Sequence, residues 1–226
     1  MANIDEVISQ DIREKYEFYD CNNALDILLG SFHDEWEEVI DCLRCFEVST
    51  AEIIKNGGNK SKMPEKIDGI LFPKGWAEMK ILGNLEVVPQ IRSKRKGNYT
   101  TLDSQIIRGY LDGHNVDFVK NKVAFDVEWN SKDQTFDRDL LAMRMYHECN
   151  VISVGIILTR SVELNDVFKS LEYTTTKGET LPVIKKYGKS TTEMDQLKRR
   201  LQGRRNGGCP ILAIGIKKKC VWDWKE

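Results

Sequence analysis

The sequence lacks an excess of charge of either sign, and it lacks long apolar runs. Its 226 residues include 34 Lys and Arg against 35 Asp and Glu, which gives a formal net charge of −1 at pH 7. This balance excludes attraction of nucleic acid by the charge of the whole chain, so any polyanion must bind through local basic clusters. Because no apolar run approaches the length of a bilayer span, we expect no membrane segment.

Several familiar motifs are also absent. Neither glycine pair, at 57–58 or 207–208, fits the Gly-x-x-x-x-Gly-Lys-Ser/Thr pattern of a phosphate-binding loop. The three histidines have no spacing with Ser or Cys that is typical of a hydrolytic triad. The acidic first residues lack the basic and then apolar pattern of a signal peptide, so we expect a cytoplasmic protein.

The six cysteines offer only half of a metal site. Cys42 and Cys45 have the spacing of a zinc-binding pair, with Cys209 or Cys220 and His33 as conceivable further ligands. However, the pair lies inside a helical pattern, and no second closely spaced pair of Cys or His accompanies it. We therefore favour reduced, buried thiols over zinc.

The clearest secondary-structure pattern lies in the middle of the chain. A strand is predicted over Val123–Trp129, and a helix follows to about Glu148. The nearly continuous apolar run Val151–Leu158 predicts a fully buried strand, as does Ile211–Ile216. A strand, a helix and a buried strand in succession predict a right-handed crossover between parallel strands.

The first 80 residues are predicted to be mainly helical. An i, i+3/i+4 apolar stripe covers residues 3–20, and an amphipathic helix is predicted over Asp34–Leu43. Residues 56–64 have the composition of a flexible basic loop. Shorter elements are predicted as helices at Thr50–Lys55, Leu164–Leu171 and Thr192–Leu201, as a strand at Leu85–Val88, and as a polar connection at Tyr173–Gly188.

Composition and element order together predict a single α/β domain. The chain is 41% hydrophobic and 226 residues long, which is enough to bury a sizeable core. We expect one domain over residues 1–226, with a mainly helical N-terminal part over 1–80 and an α/β core over 81–226. In that core a central mixed β-sheet is flanked by helices.

Three carboxylates stand in the stretch Val116–Trp129, which consists of two strand-forming segments around a Lys-Asn-Lys turn. Alternation places Asp126 and Glu128 on one face of the second strand, and the turn can bring Asp117 alongside them. Such convergence is costly unless a divalent cation lies between the carboxylates, which predicts a Mg²⁺-dependent site for phosphodiester cleavage. The alternative is the solvent-facing side of an amphipathic edge strand.

Basic clusters flank this stretch in the sequence. Each cluster alone is typical of a solvated face, but several around an acidic centre suit the clamping of a phosphate backbone. The clusters are Lys60/Lys62, Lys94/Arg95/Lys96, Lys198/Arg199/Arg200 and Arg204/Arg205.

The segment Asp117–Glu128 resembles the active-site segment of the BglII/BstYI group of type II restriction endonucleases, in the PD-(D/E)xK nuclease superfamily. The run Leu201–Ile216 resembles the closing loop and strand of that group, and residues 51–76 are more weakly similar. The resemblance covers residues 50–216 in order, with gaps. It implies a restriction-endonuclease-like core.

The resemblance also implies roles for the carboxylates. Asp117 matches the first metal-binding position, and Asp126 matches the second, which is usually Glu. Glu128 stands at the third position, which is Lys in most of the superfamily, Gln in similar relatives and Glu in BamHI. A Glu can act there only as an acceptor, a base or a further metal ligand, which favours two-metal chemistry.

Other side chains are candidates for supporting roles. Lys132, just beyond the strand, could replace the missing cation. Whether Glu52 or His114 joins the site stays open, because a surface Glu and a loop His are ordinary alternatives.

The resemblance implies a homodimeric restriction endonuclease of a prokaryotic restriction–modification system, which cuts a short palindrome in double-stranded DNA, and it suggests a GATC-centred site. Mg²⁺ is the expected cofactor, and Mn²⁺ can substitute. A nuclease that serves repair or reads methylated DNA, or a DNA-binding module with a lapsed active site, remains an alternative. The residues expected to contact DNA are Asn59, Lys60, Lys62, Lys94, Arg95, Lys96, Asn98, Arg204 and Arg205.

Overall fold

The computed structural model describes residues 2–55, 62–92, 97–188 and 190–225, with the side chain of Lys62 excepted. The chain divides into two compact units. The first consists of Met1–Met79 and Val116–Glu226, and the second of Lys80–Asn115. Among the described residues, the structure has no helix that is both long and apolar enough to cross a membrane.

The helices and strands of the described residues are numbered in chain order. The helices are α1 (Ile4–Val7), α2 (Gln10–Lys15), α3 (Ala24–Ser31), α4 (His33–Cys45), α5 (Thr50–Ile54), α6 (Lys62–Leu71), α7 (Thr135–Glu148), α8 (Leu164–Ser170) and α9 (Met194–Gln202). The strands are β1 (Tyr16–Cys21), β2 (Ala77–Met79), β3 (Leu82–Val87), β4 (Gln90–Arg92), β5 (Tyr99–Thr101), β6 (Gln105–Asp112), β7 (Val116–Lys120), β8 (Val123–Glu128), β9 (Val154–Arg160), β10 (Glu172–Thr174), β11 (Thr180–Pro182) and β12 (Ile211–Ile216).

A six-stranded mixed sheet forms the centre of the first unit, in the order β1-β12-β9-β8-β7-β2. The central pairs β12–β9 and β9–β8 are parallel, whereas β1, β7 and β2 run antiparallel to their neighbours. Every residue of β8, β9 and β12 is buried, as expected for strands covered on both faces. The predicted mixed sheet and the predicted parallel pairing of β8 with β9 across α7 are confirmed.

The two faces of β8 lie in different surroundings. Val123, Phe125 and Val127 belong to the main hydrophobic core with residues of the N-terminal helices. The opposite face carries Ala124, which pairs with Gly155 of β9. A Cβ atom on Gly155 would lie 2.6 Å from Met143 Sδ, so α7 packs on the sheet at a point where no side chain fits.

A tight turn sets the register of β7 and β8. Lys120 and Val123 are paired, and the two residues between them have positive φ angles of 44° at Asn121 and 72° at Lys122. Positive φ at both positions is the geometry of the type I′ turn that joins antiparallel strands. Continued along the strands, this register sets Asp117 opposite Asp126.

The helical pattern over residues 3–20 is wrong for its last part. The helical part ends at Lys15, and Tyr16–Cys21 forms β1. This strand pairs with β12 along its whole length, from Tyr16 opposite Ile216 to Cys21 opposite Ile211. Pairing with a buried neighbour therefore overrides a helical pattern whose apolar positions also fit a strand.

Two predicted connections are also partly wrong. The basic loop predicted to reach residue 64 ends earlier, because Lys62 begins α6 and Met63 is buried in the core. The stretch 173–188 contains the β10–β11 hairpin and a 3-10 turn at Val183–Lys185. Burial of Val183 and Tyr187 shows that part of this connection belongs to the core.

The second unit consists of antiparallel hairpin pairs. β3 pairs with β6, and β4 pairs with β5. The unit leaves the central sheet after Met79 and returns at Val116, and these two residues are paired between β2 and β7. The hypothesis that residues 1–226 act as one endonuclease domain stays a prediction.

Candidate active site

The strand pair β7–β8 brings two of the predicted carboxylates together. The backbone N–H of Asp117 donates to Asp126 Oδ1 at 3.4 Å, and the N–H of Val127 donates to Asp117 Oδ2 at 3.1 Å. Each carboxylate thus lies beside the backbone of the other strand. The turn at Asn121 and Lys122 is the local feature that fixes this arrangement.

The carboxylates of β8 are buried. Asp126 is 4% exposed and Glu128 is 8% exposed, while Asp117 is half-buried. The alternative that these residues form the solvent-facing side of an edge strand is therefore wrong, because β8 lies between β7 and β9. Buried charges need partners or a metal ion, so the carboxylates on this face of β8 require compensation of their charge.

Helix α7 adds a third carboxylate to those of β8. Oxygen atoms of Asp126, Glu128 and Asp139 all lie within 4.8 Å of one another. At an effective dielectric constant near 20, two unit charges at such a distance repel by roughly 3 to 4 kcal/mol. Three ionised carboxylates therefore require protons or a cation.

The pKa values of these groups reflect the burial of the cluster. Burial raises the pKa of Asp126 well above its usual range, and the neighbouring charge of Asp117 adds to the effect. Burial likewise raises the pKa of Glu128. The pKa of Asp139 is raised to about 8, first by burial and then by the charge of Glu128.

The surroundings of one oxygen atom of Glu128 indicate whether a metal ion fits this cluster. Glu128 Oε2 is buried and has no hydrogen-bond partner among the residues that the structure describes. A buried carboxylate oxygen without a partner is costly unless a cation binds it. Hard carboxylate oxygens at this spacing are the ligands that Mg²⁺ and Mn²⁺ accept, so the residues fit a divalent ion.

Arg138 is a cation beside the cluster that the sequence did not indicate. Lys132 is exposed, and its backbone forms a bridge with Thr191. Arg138 Nε lies 3.8 Å from Asp139 Oδ1, and the charge of Arg138 lowers the pKa values of Glu128 and Asp139 against the effect of burial. Lys132 stays a candidate, but Arg138 has the better-supported position.

The hydrogen bonds and the ion pair of Glu52 serve the structure of α5 and its contact with α6. Its carboxylate accepts from the backbone N–H of Ser49 at 2.8 Å, which completes a capping box at the start of α5. It also forms an ion pair with Lys66 at 2.8 Å. His114 is half-buried and belongs to the second unit, so its part in the site stays open.

Some of the described basic residues form ion pairs with acidic residues, and Arg204 is exposed to solvent. Arg200 binds Asp133 at 3.0 Å and Asp137 at 3.1 Å, and Arg205 also pairs with Asp137. These contacts fasten α9 and the following loop to the start of α7. Arg204 is exposed, in a positive-φ turn, and lines a cavity of about 450 Å³.

The remaining residues predicted to contact DNA are only partly described. Asn98 is exposed in the second unit, and Lys62 is the first residue of α6. The other predicted contacts, Asn59, Lys60, Lys94, Arg95 and Lys96, lie outside the described residues.

The cysteines are all free thiols in this structure. Cys42 is buried and Cys45 is exposed, although both belong to α4. Burial raises the pKa of Cys42, and likewise of Cys209 and Cys220, to about 12, so these three are protonated at neutral pH.

The sequence contained a signal for Asp139 that the prediction did not use. Buried residues of α7 include Phe136, Asp139, Leu140, Met143 and Tyr146, which follow the i, i+3/i+4 spacing of one helix face. An acidic residue on the apolar stripe of a helix is unusual unless it has a partner there.

Comparison with known proteins adds one finding to this geometry. No curated protein matches the chain. The family model described as "Restriction endonuclease BglII/BglIII" matches residues 16–216. That range includes all six strands of the central sheet, and it contains all four carboxylates near the site. Because the match covers most of its length, the chain belongs to the BglII/BglIII family of restriction endonucleases.

Proposed function

We propose that this chain is a Mg²⁺-dependent type II restriction endonuclease that hydrolyses double-stranded DNA at a short palindromic site. Membership in a restriction endonuclease family supports the reaction class. The observation that carries the metal dependence is the buried acidic cluster, in which Glu128 Oε2 has no partner among the described residues. Mn²⁺ is expected to replace Mg²⁺, since both take oxygen ligands.

In this proposal the strand pair holds the metal through Asp117, Asp126 and Glu128. The bound ion would supply Lewis acidity and lower the pKa of a water molecule. Val127 fixes one oxygen of Asp117, so the other oxygen is available for a ligand. Glu128 takes the place of the usual Lys of the superfamily, and as a carboxylate it can bind a cation or accept a proton from water.

DNA contacts are proposed for the exposed part of the basic loop after α9. Arg204 is exposed, whereas Arg205 is paired with Asp137, so Arg204 is the stronger candidate for a base or phosphate contact. A palindromic target is proposed because a two-fold dimer reads a two-fold site. A GATC-centred sequence is the specific target that we propose.

The test uses the purified chain with plasmid DNA, methylated or unmethylated at GATC sites, in the presence of Mg²⁺, Mn²⁺ or Ca²⁺. We expect discrete fragments with Mg²⁺ and Mn²⁺. Asp126→Asn removes a buried ligand and should lower the cleavage rate by roughly 100-fold or more. Asp166→Asn, which changes an exposed carboxylate of α8 paired with Lys169, is the matched control.

The outcomes separate the alternatives. Fragments that end at sites other than GATC would reject only the proposed sequence. Cleavage of methylated DNA alone would replace the proposal with a methyl-reading nuclease, and sequence-specific retardation without cleavage would replace it with a binding module. Sedimentation of the chain with a palindromic duplex tests the dimer, which a monomeric mass for the protein component contradicts.

A further inference from the structure

We propose that Asp139, on helix α7, is a direct ligand of the metal ion together with Asp126 and Glu128. The inference rests on the proposed metal-dependent function and extends its ligand set from the strand pair to the helix. It makes the site a three-sided arrangement of two strand carboxylates and one helix carboxylate. The metal ligands assigned from sequence all belong to β7 and β8.

The close packing of α7 on the sheet is the first support. Met143 lies over Gly155, and Gly155 is paired with Ala124 of β8. Asp139 precedes Met143 by one helical turn, and Asp126 follows Ala124 on the same face of β8. Because the connection returns antiparallel to the strands, one turn back along the helix leads toward Asp126 and Glu128.

The burial of Asp139 is consistent with that placement. Its side chain has no exposed surface, and one of its oxygen atoms lies within 4.8 Å of oxygens of both Asp126 and Glu128. A polar residue whose only role is to begin the helix would be expected to face solvent. Glu148, in the last turn of the same helix, shows the ordinary pattern, because it is exposed and paired with Arg144 at 2.7 Å.

An independent observation points to a ligand among these side chains. Glu128 is more than nine-tenths buried, and its Oε2 has no hydrogen-bond partner among the described residues. The oxygen therefore has an unused lone pair, on a carboxylate that lies beside those of Asp126 and Asp139. A divalent cation would satisfy it and offset the charge of all three carboxylates.

Two features of Asp117 explain why a carboxylate from helix α7 is needed to complete the set of metal ligands. One oxygen of Asp117 already accepts from Val127, and Asp117 is the least buried of the four carboxylates. Asp126 lies beside both Asp117 and Asp139. We therefore assign Asp139 to the ion that Asp126 and Glu128 would hold.

The experiment measures metal binding in the absence of DNA and of turnover. Mn²⁺ is titrated into the EDTA-treated chain and followed by calorimetry and by the electron paramagnetic resonance signal of free Mn²⁺. Asp139→Asn keeps the size of the side chain, and we expect it to weaken Mn²⁺ binding by about tenfold or more, as Asp126→Asn does. Glu148→Gln, the same kind of change on the same helix, should bind Mn²⁺ like the unmodified chain.

A second variant distinguishes ligation from a structural effect. Asp139→Cys offers a soft thiolate in place of a hard carboxylate, so it should bind Cd²⁺ more tightly than Mn²⁺. Cadmium–thiolate ligation also produces an ultraviolet charge-transfer band. We expect this band to exceed that of the unmodified chain, whose own cysteines provide the background.

Each result of these experiments either supports or overturns the role of Asp139 as a metal ligand. Normal Mn²⁺ affinity in Asp139→Asn, together with lost affinity in Asp126→Asn, would overturn the role of Asp139 and leave the proposed nuclease intact. Absence of Mn²⁺ binding by the unmodified chain overturns it as well. Loss of binding in Asp139→Asn supports the ligand even if no DNA is cleaved, an outcome that rejects the nuclease activity alone.

Discussion

The N–H of Val127 donates to Asp117 Oδ2 at 3.1 Å, so a site carboxylate also fastens β7 to β8. This hydrogen bond gives Asp117 a structural task in addition to its proposed metal contact. It also restricts the carboxylate to one orientation. Substitutions of Asp117 that keep or remove the hydrogen-bond acceptor can separate its structural role from its proposed metal contact.

We expect Asp117→Ala and Asp117→Asn to differ in stability but not in activity. Ala leaves the N–H of Val127 without an acceptor and should lower the free energy of unfolding by about 1 to 2 kcal/mol. Asn retains an acceptor oxygen and should cost less. Both variants should cleave DNA roughly 100-fold more slowly or worse, because neither offers an anionic ligand.

Urea unfolding in EDTA measures the first effect, and plasmid cleavage with Mg²⁺ measures the second. Equal unfolding free energies for the two variants would show that the hydrogen bond of Val127 contributes nothing to stability. Cleavage by Asp117→Asn at the rate of the unmodified chain would remove Asp117 from the metal site.

Glu128→Gln should stabilise the metal-free chain and reduce its stabilisation by metal. The substitution keeps the shape of the side chain but removes the charge from one of three neighbouring carboxyl groups. In EDTA at pH 8 the melting temperature should rise by about 2 to 6 °C, which corresponds to roughly 1 to 2 kcal/mol for a chain of this size. Addition of Mn²⁺ should then raise it less than it raises that of the unmodified chain.

Differential scanning calorimetry with and without Mn²⁺ checks this expectation. Glu163→Gln serves as the control, because Glu163 stands outside the cluster and its charge contacts Lys217 at 3.8 Å. A lower melting temperature of Glu128→Gln in EDTA would mean that the ionised carboxylate is already compensated without a metal ion.

The sequence allowed prediction of the strands that carry the candidate site but not of the helix residue that faces them. Asp126 and Glu128 follow from strand alternation and a short turn, both of which are local properties. The contact of Asp139 with them depends on the phase of α7 above the sheet, which Gly155 and Met143 set through packing. Such packing joins residues that are distant in sequence, so local patterns do not contain it.

Edge and outlying strands were harder to predict for a similar reason. Tyr16–Cys21 has apolar positions that fit a short helix or a strand, and the decision depends on its partner β12. In β6, exposed positions dominate and no buried face produces an alternating pattern. The second unit was therefore recognised only in part, through the strand at Leu85–Val88.

Glu52 should make stability depend on pH in the acidic range. Burial opposes its ionisation, but hydrogen bonds from Lys66 and Ser49 outweigh this and hold the pKa of Glu52 below its ordinary value of 4.5. A lowered folded-state pKa stabilises the fold above 4.5, and this contribution is lost as the pH falls through the folded-state pKa. Glu52→Gln should therefore cost about 1 kcal/mol at pH 7 and progressively less toward pH 3.

Urea unfolding between pH 3 and pH 7 gives the difference directly. Glu65→Gln is the matched control, because Glu65 is an exposed residue of the neighbouring helix α6. A constant difference between Glu52→Gln and the unmodified chain at every pH would show that the capping box persists without the charge.

Removal of the second unit should leave the first unit folded. Met79 and Val116 are paired between β2 and β7, so a two-residue Asn-Gly turn can replace residues 80–115. The hydroxyl of Tyr146 donates to the carbonyl of Met79 at 2.7 Å and holds the end of β2 against α7. We expect the shortened chain to unfold in one cooperative transition and to bind Mn²⁺ like the full chain, because every residue of the acidic cluster belongs to the first unit. Circular dichroism and Mn²⁺ titration of both chains measure these properties, and a shortened chain without a cooperative transition would show that residues 80–115 are needed for the first unit to fold.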